Sequence, residues 1–82
     1  MTVNLVGAWN EYCDEDTYGM SFKEWIIEGI ELFKEDIEEG ANEGEIAWCK
    51  EEIALYEQVL EALNNGLYNN LSLPKRLNKR LY

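Results

Sequence analysis

No histidine occurs among the 82 residues. That removes the commonest general base at neutral pH and the commonest metal ligand. The two cysteines, Cys13 and Cys49, stand too far apart to form a short metal-binding pair, and no glycine-rich phosphate loop with its lysine is present. Positive charge is scarce, with 7 Lys and Arg against 17 Asp and Glu for a formal charge of -10. Such an acidic balance argues against DNA, RNA or an anionic membrane as a direct ligand. No segment is long and apolar enough to cross a bilayer, and the opening residues lack the basic and apolar regions of a signal peptide. Together with the two cysteines, read as free thiols, this predicts a cytoplasmic location. Carboxylate pairs such as Glu24 and Glu28 are ordinary solvated charges unless burial separates their pKa values. No enzymatic activity, cofactor or metal is expected.

What is present is apolar and aromatic content sufficient for folding. Hydrophobic residues make up 46% of the chain, with three Trp, five Tyr and two Phe, far too many for a disordered acidic segment. A chain of this length supports one small acidic domain, 1–82, with one modest core.

The strongest pattern lies at 21–39, SFKEWIIEGIELFKEDIEE. Ser21 and Glu24 have capping-box spacing, and Gly40 follows the last charged turn. Phe22, Trp25, Ile26, Ile30, Phe33 and Ile37 recur at three and four residues and predict one helical face. Glu24, Glu28, Glu31, Glu35 and Glu38 keep the same period on another side. Lys23 and Lys34 are too few to neutralise them, and the acidic C-terminal turn has the unfavourable sign for the helix dipole. Gly29 costs about 1 kcal/mol of helix propensity and predicts close approach by a neighbouring helix.

A turn at GANEG, with Asn42 as cap, leads to a second predicted helix over 43–64. Its apolar side holds Ile46, Cys49, Ile53, Tyr56, Leu60 and Leu63, widened by Trp48, Leu55, Val59 and Ala62. Cys49 there reads as a small buried hydrophobe. A short connection makes an antiparallel hairpin the economical packing. Trp25, Trp48, Phe22 and Phe33 are its expected hydrophobic anchors, with Trp9 completing the core. Ahead of it, the alternation of Val3 and Leu5 allows a strand or extended arm over 2–9. Residues 10–20 read as a solvated acidic loop, because Asp14, Glu15 and Asp16 lack the spacing of a calcium loop. At the other end, Leu73, Leu77 and Leu81 interleave with Lys75, Arg76, Lys79 and Arg80, and Ser72 can cap a basic C-terminal helix at 72–82. On a body this acidic, that segment is expected to fold back or to meet another copy. The expected fold is therefore mainly α, an antiparallel helical hairpin with a short C-terminal helix and an N-terminal strand or arm.

Functionally, the carboxylate column is the distinctive feature. Glutamates three and four residues apart recur about every 4.5 to 6 Å along a helix, while nucleic-acid phosphates rise about 3.4 Å per nucleotide along a strand. The column, continued by Glu39, Glu43 and Glu45, can thus imitate one edge of a nucleic-acid backbone toward a basic groove. Asp14, Glu15 and Asp16 offer a second patch, and Glu51, Glu52, Glu57 and Glu61 a third. In size and composition the chain resembles the small acidic inhibitors that phages and mobile elements deploy against restriction or RNA-guided nucleases. That resemblance implies a blocked nuclease groove and transfers no individual site residue. The expected partner is a basic protein bound without catalysis; direct nucleic-acid and membrane binding are not expected. The alternative is a small helical homo-oligomer, such as a homodimer, whose acidic face maintains solubility. A third reading has Lys75, Arg76, Lys79 and Arg80 binding nucleic acid directly.

Overall fold

The structure, a computed structural model, describes residues 5–66 and 79–82. Three helices follow one another: α1, Leu5–Asp14; α2, Phe22–Glu38; and α3, Glu43–Asn64. The helices α2 and α3 form the expected antiparallel hairpin. Trp25 meets Tyr56 at a ring separation of 5.8 Å and Phe33 meets Trp48 at 5.3 Å, so early α2 faces late α3.

Both hairpin helices begin where side-chain oxygens satisfy backbone donors. Ser21 Oγ accepts from Glu24 N at 3.2 Å, and Asn42 Oδ1 accepts from Glu45 N at 2.9 Å. The intervening turn is closed by Gly40, whose φ of +94° is open to glycine at little cost. Gly29 has the predicted role in close packing. A Cβ there would lie 2.6 Å from Cε2 of Tyr56, so the tyrosine ring occupies the space a side chain would need.

The N-terminal expectation is corrected. Residues 5–9 are helical rather than extended, and helix continues through 10–14, a stretch read from sequence as loop; residues 2–4 lie outside the described residues. What holds α1 is aromatic packing across the start of α2. Trp9 meets Phe22 edge-on at 5.4 Å, and Tyr12, fully buried, lies 5.3 Å from Phe22 and 5.7 Å from Trp25. Trp9 and Tyr12 are three residues apart and so share a helical face, a pairing that an extended chain would split between its two sides.

The described end of the basic C-terminal segment, 79–82, is docked and is not a helix. Residues 79–82 have no regular secondary structure, while 72–78 lie outside the described residues. Arg80 O and Leu81 O accept from Phe22 N at 2.8 Å and Lys23 N at 2.9 Å. Tyr82 reaches α3, its hydroxyl donating to Leu63 O at 2.7 Å.

The core consists of Trp9, Tyr12, Phe22, Ile26, Ile30, Tyr56, Val59, Ala62 and Leu63. Trp25, Phe33, Ile53 and Leu60 pack against it half-buried. Cys49 is buried and Cys13 half-buried, and neither is in a disulfide. Trp48 departs from expectation. It lies edge-on against Phe33 yet remains 54% exposed, at the margin of the hairpin.

Candidate functional site

With about 100° between successive helical residues, Glu24, Glu28, Glu31, Glu35 and Glu38 share a stripe about 80° wide and about 21 Å long. All five are exposed. Lys23 and Lys34 lie on the far flank of α2, between the stripe and the core, with Lys34 three residues after Glu31 and four before Glu38. On the near flank, between the stripe and the core, come Leu32, Trp25, Asp36, Gly29 and Phe33. Among the described residues the one ion pair joins Arg80 to Glu24 at 3.8 Å, with both side chains exposed. Such a pair adds little to stability and leaves the rest of the stripe facing solvent.

The near flank of α2 is hollow. A groove of about 500 Å³ runs between α1, the 15–20 loop and the hairpin. Its floor is aromatic, from Trp25, Phe33 and Tyr56. Its sides carry Glu11 from α1, Glu15 and Asp16 from the loop, and Glu28 and Asp36 from α2. Glu15 is oriented by the Trp25 indole, whose N–H donates to its carboxylate at 3.2 Å. Asp16 Oδ1 accepts from Tyr18 N at 3.2 Å, and this turn holds Tyr18 at a φ of +52° with its ring 92% exposed at the groove's lip. Asp36 also borders a second hollow of about 380 Å³, where Glu39 and Glu45 surround Trp48.

The carboxylates oppose one another across this concavity. Burial, then Glu15 and Glu52, raise the pKa of Glu11. Tyr56 is pushed up to about 12 by burial first and then by Glu11, Glu52 and Glu15. The Cys49 thiol is likewise raised, through burial and then Asp36, Glu45 and Glu52, the opposite of what a nucleophilic thiol requires.

The expected site residues therefore separate into groups. Glu15, Asp16 and Glu28 meet in the groove, and Glu39 and Glu45 meet at the second hollow. Glu31, Glu35 and Glu38 stand on the solvent stripe between, with Glu24 at its tail-docked end. Asp14 closes α1 and Glu43 opens α3, both exposed. The proposed third patch divides, because Glu52 is half-buried and faces Glu11 and Tyr56 while Glu51, Glu57 and Glu61 are exposed on other sides of α3. Among the described residues, no three carboxylate or thiol groups converge as a metal site, and no helix is long and apolar enough to cross a membrane.

No protein-family model, curated protein or solved structure matches this chain.

Of the groove residues, Glu11, Thr17, Tyr18, Met20, Leu32 and Asp36 were not among those the sequence singled out. For Leu32 and Asp36 a signal exists: four residues apart, they fall on the wheel between the glutamate stripe and the Trp25–Phe33 edge. Glu11 carries none until α1 is known to be helical. Tyr18 becomes conspicuous only through its exposure.

Proposed function

We propose that this chain is a noncatalytic acidic inhibitor or regulator that binds a basic groove on a protein partner. In its sharpest form, the α2 stripe stands in for a nucleic-acid backbone against a nuclease or another DNA- or RNA-binding protein. The observation that carries the reading is the continuity of exposed negative charge. The glutamate stripe, the groove carboxylates and the Glu39–Glu45 hollow adjoin one another, while Lys23 and Lys34 border the stripe only on the flank opposite the groove. A basic protein surface gains both steering and contact energy from such a face. Lys79 and Arg80 are engaged at the α2 N-terminus and the 15–19 loop, which weighs against the tail as a nucleic-acid-binding element.

One observation favours the second reading, a helical homo-oligomer. Trp48 and Leu32 are 54% and 52% exposed, and large exposed apolar side chains are frequent in association surfaces. The test separates the two. The chain is used to capture partners at physiological salt, with and without duplex DNA as competitor. The proposal expects one stoichiometric basic enzyme, displaced by the duplex and lost with Glu31→Lys and Glu35→Lys. Recovery of the chain alone, with a dimer mass in sedimentation, would transfer the role to self-association.

A further inference from the structure

We propose that the groove between α1, the 15–20 loop and the hairpin docks a basic amphipathic helix of the partner protein. Its apolar side would lie on Trp25, Leu32 and Phe33, and its Arg or Lys side chains against Glu15, Glu28 and Asp36. This rests on the reading that the partner is basic, and adds to it an apolar side and a helical period.

Charge alone does not account for the groove. Between its carboxylates lies an aromatic floor, and Leu32 and Tyr18 stand exposed at its edges. A nucleic-acid-binding surface that met only the glutamate stripe would leave both of them in water. A small cationic ligand fits poorly for a different reason. The α2 residues lining the groove run from Trp25 to Asp36, about 16 Å along the axis or about three helical turns. On α2 the two groove carboxylates, Glu28 and Asp36, stand about 12 Å apart along that length, and the apolar edge continues past Asp36 to Trp48. An amphipathic helix, with anchors recurring every three or four residues, matches both the length and the alternation.

The chain already uses the required chemistry on itself. Lys79 Nζ lies 4.8 Å from the centroid of the Tyr12 ring while donating to Glu15 O at 2.9 Å and Thr17 Oγ1 at 3.0 Å. A cation is held there between an aromatic face and oxygen acceptors. Trp25 beside Glu15, and Phe33 near Glu28 and Asp36, offer the same pairing toward solvent. Arginine suits such a site best because its planar group stacks on a ring while its edge donates to a carboxylate. Burial first, and then Glu15 and Glu52, raise the pKa of Glu11, and a bound cation would offset the repulsive part.

The test uses the full chain and two synthetic peptides of about four helical turns. One has Leu on one face and Arg on the other; its partner has identical charge with each Leu replaced by Ser. Calorimetric titration should show the Leu-bearing peptide binding at least roughly tenfold more tightly. Leu32→Ser and Tyr18→Asn, at exposed positions that leave the fold intact by circular dichroism, should each erase most of that preference. Equal binding of both peptides would overturn the inference in favour of charge docking, as would a preference that survives both variants. Self-association that occupies the groove and disappears with Leu32→Ser would also overturn it, in favour of a second copy. These results are independent of partner capture. The groove can fail while the Glu31 and Glu35 reversals still abolish capture, and capture can fail while the peptide preference stands.

Discussion

Gly29 shows how a single residue can have opposite worth by local and by tertiary criteria. In an isolated helix, alanine there would gain about 1 kcal/mol. In this fold its Cβ would collide with Tyr56, a buried ring wedged 5.8 Å from Trp25 and 5.6 Å from Phe33. Overpacking costs about 1 to 3 kcal/mol, so Gly29→Ala should lower the unfolding free energy by about 1 kcal/mol net and with it the urea midpoint. A raised midpoint would mean the ring yields freely. Glu11 gives a pH-dependent counterpart. Its folded pKa is raised by burial, then by Glu15 and Glu52, so between the unfolded and folded values the native state binds more protons. The associated stability is present below that window and lost as pH rises through it. Glu11→Gln should therefore stabilise the chain at neutral pH and flatten the decline just above the ordinary carboxylate range. For Tyr56 the same sign applies at the alkaline end, with stability lost as pH climbs from about 10 toward the raised value of about 12. Tyr56→Phe should remove that limb in a series of pH-dependent melts.

Among the elements, α2 has an N-terminus completed by one local and one distant piece of chain. The N–H of Glu24 is satisfied locally by Ser21, whereas those of Phe22 and Lys23 are satisfied by the carbonyls of Arg80 and Leu81. Lys79 and Tyr82 extend the clasp to the 15–17 loop and to α3. Deleting 79–82 exposes those donors and removes the Lys79 and Tyr82 bonds. At roughly 0.5 to 1.5 kcal/mol net for each of these five bonds, a loss of about 2.5 to 7.5 kcal/mol is expected in denaturant unfolding. An unchanged midpoint would show that the clasp is dispensable. The local half of this arrangement was legible in the sequence: Ser21 and Asn42 declared their caps, and 3.6-residue periodicity placed α2 and α3 within a residue of their observed ends. The remote half was not, because backbone carbonyls carry no residue signature. The ten residues of α1 were missed for a related reason. They are too short for periodicity to stand out, Gly7 weakens them, and their helicity depends on Phe22 and Trp25 as packing partners. The glutamate stripe followed from period alone; the groove beside it required the placement of α1.

At the scale of the whole molecule, the question is what keeps so much like charge on one small surface. Neighbouring carboxylates of the stripe rise about 4.5 to 6 Å apart, inside the Debye length of about 8 Å at physiological ionic strength, so their repulsion is incompletely screened. Glu38 and Glu39 add the unfavourable dipole sign at the end of α2. Folding tolerates this because the stripe lies on the solvent side of α2 while the aromatic core lies opposite. Glu31→Lys and Glu35→Lys should then separate stability from binding. Each reversal reduces the negative charge by two, and Lys at position 35 approaches the helix C-terminus with the favourable sign. Stability should stay unchanged or rise by less than about 1 kcal/mol. The rise in melting temperature on adding sodium chloride should become shallower than in the parent chain, since less repulsion remains to screen. Partner capture should be lost in the same variant. A chain whose carboxylates served only solvation would show the same change in melting and an undiminished capture, so the pair of measurements decides what the stripe is for.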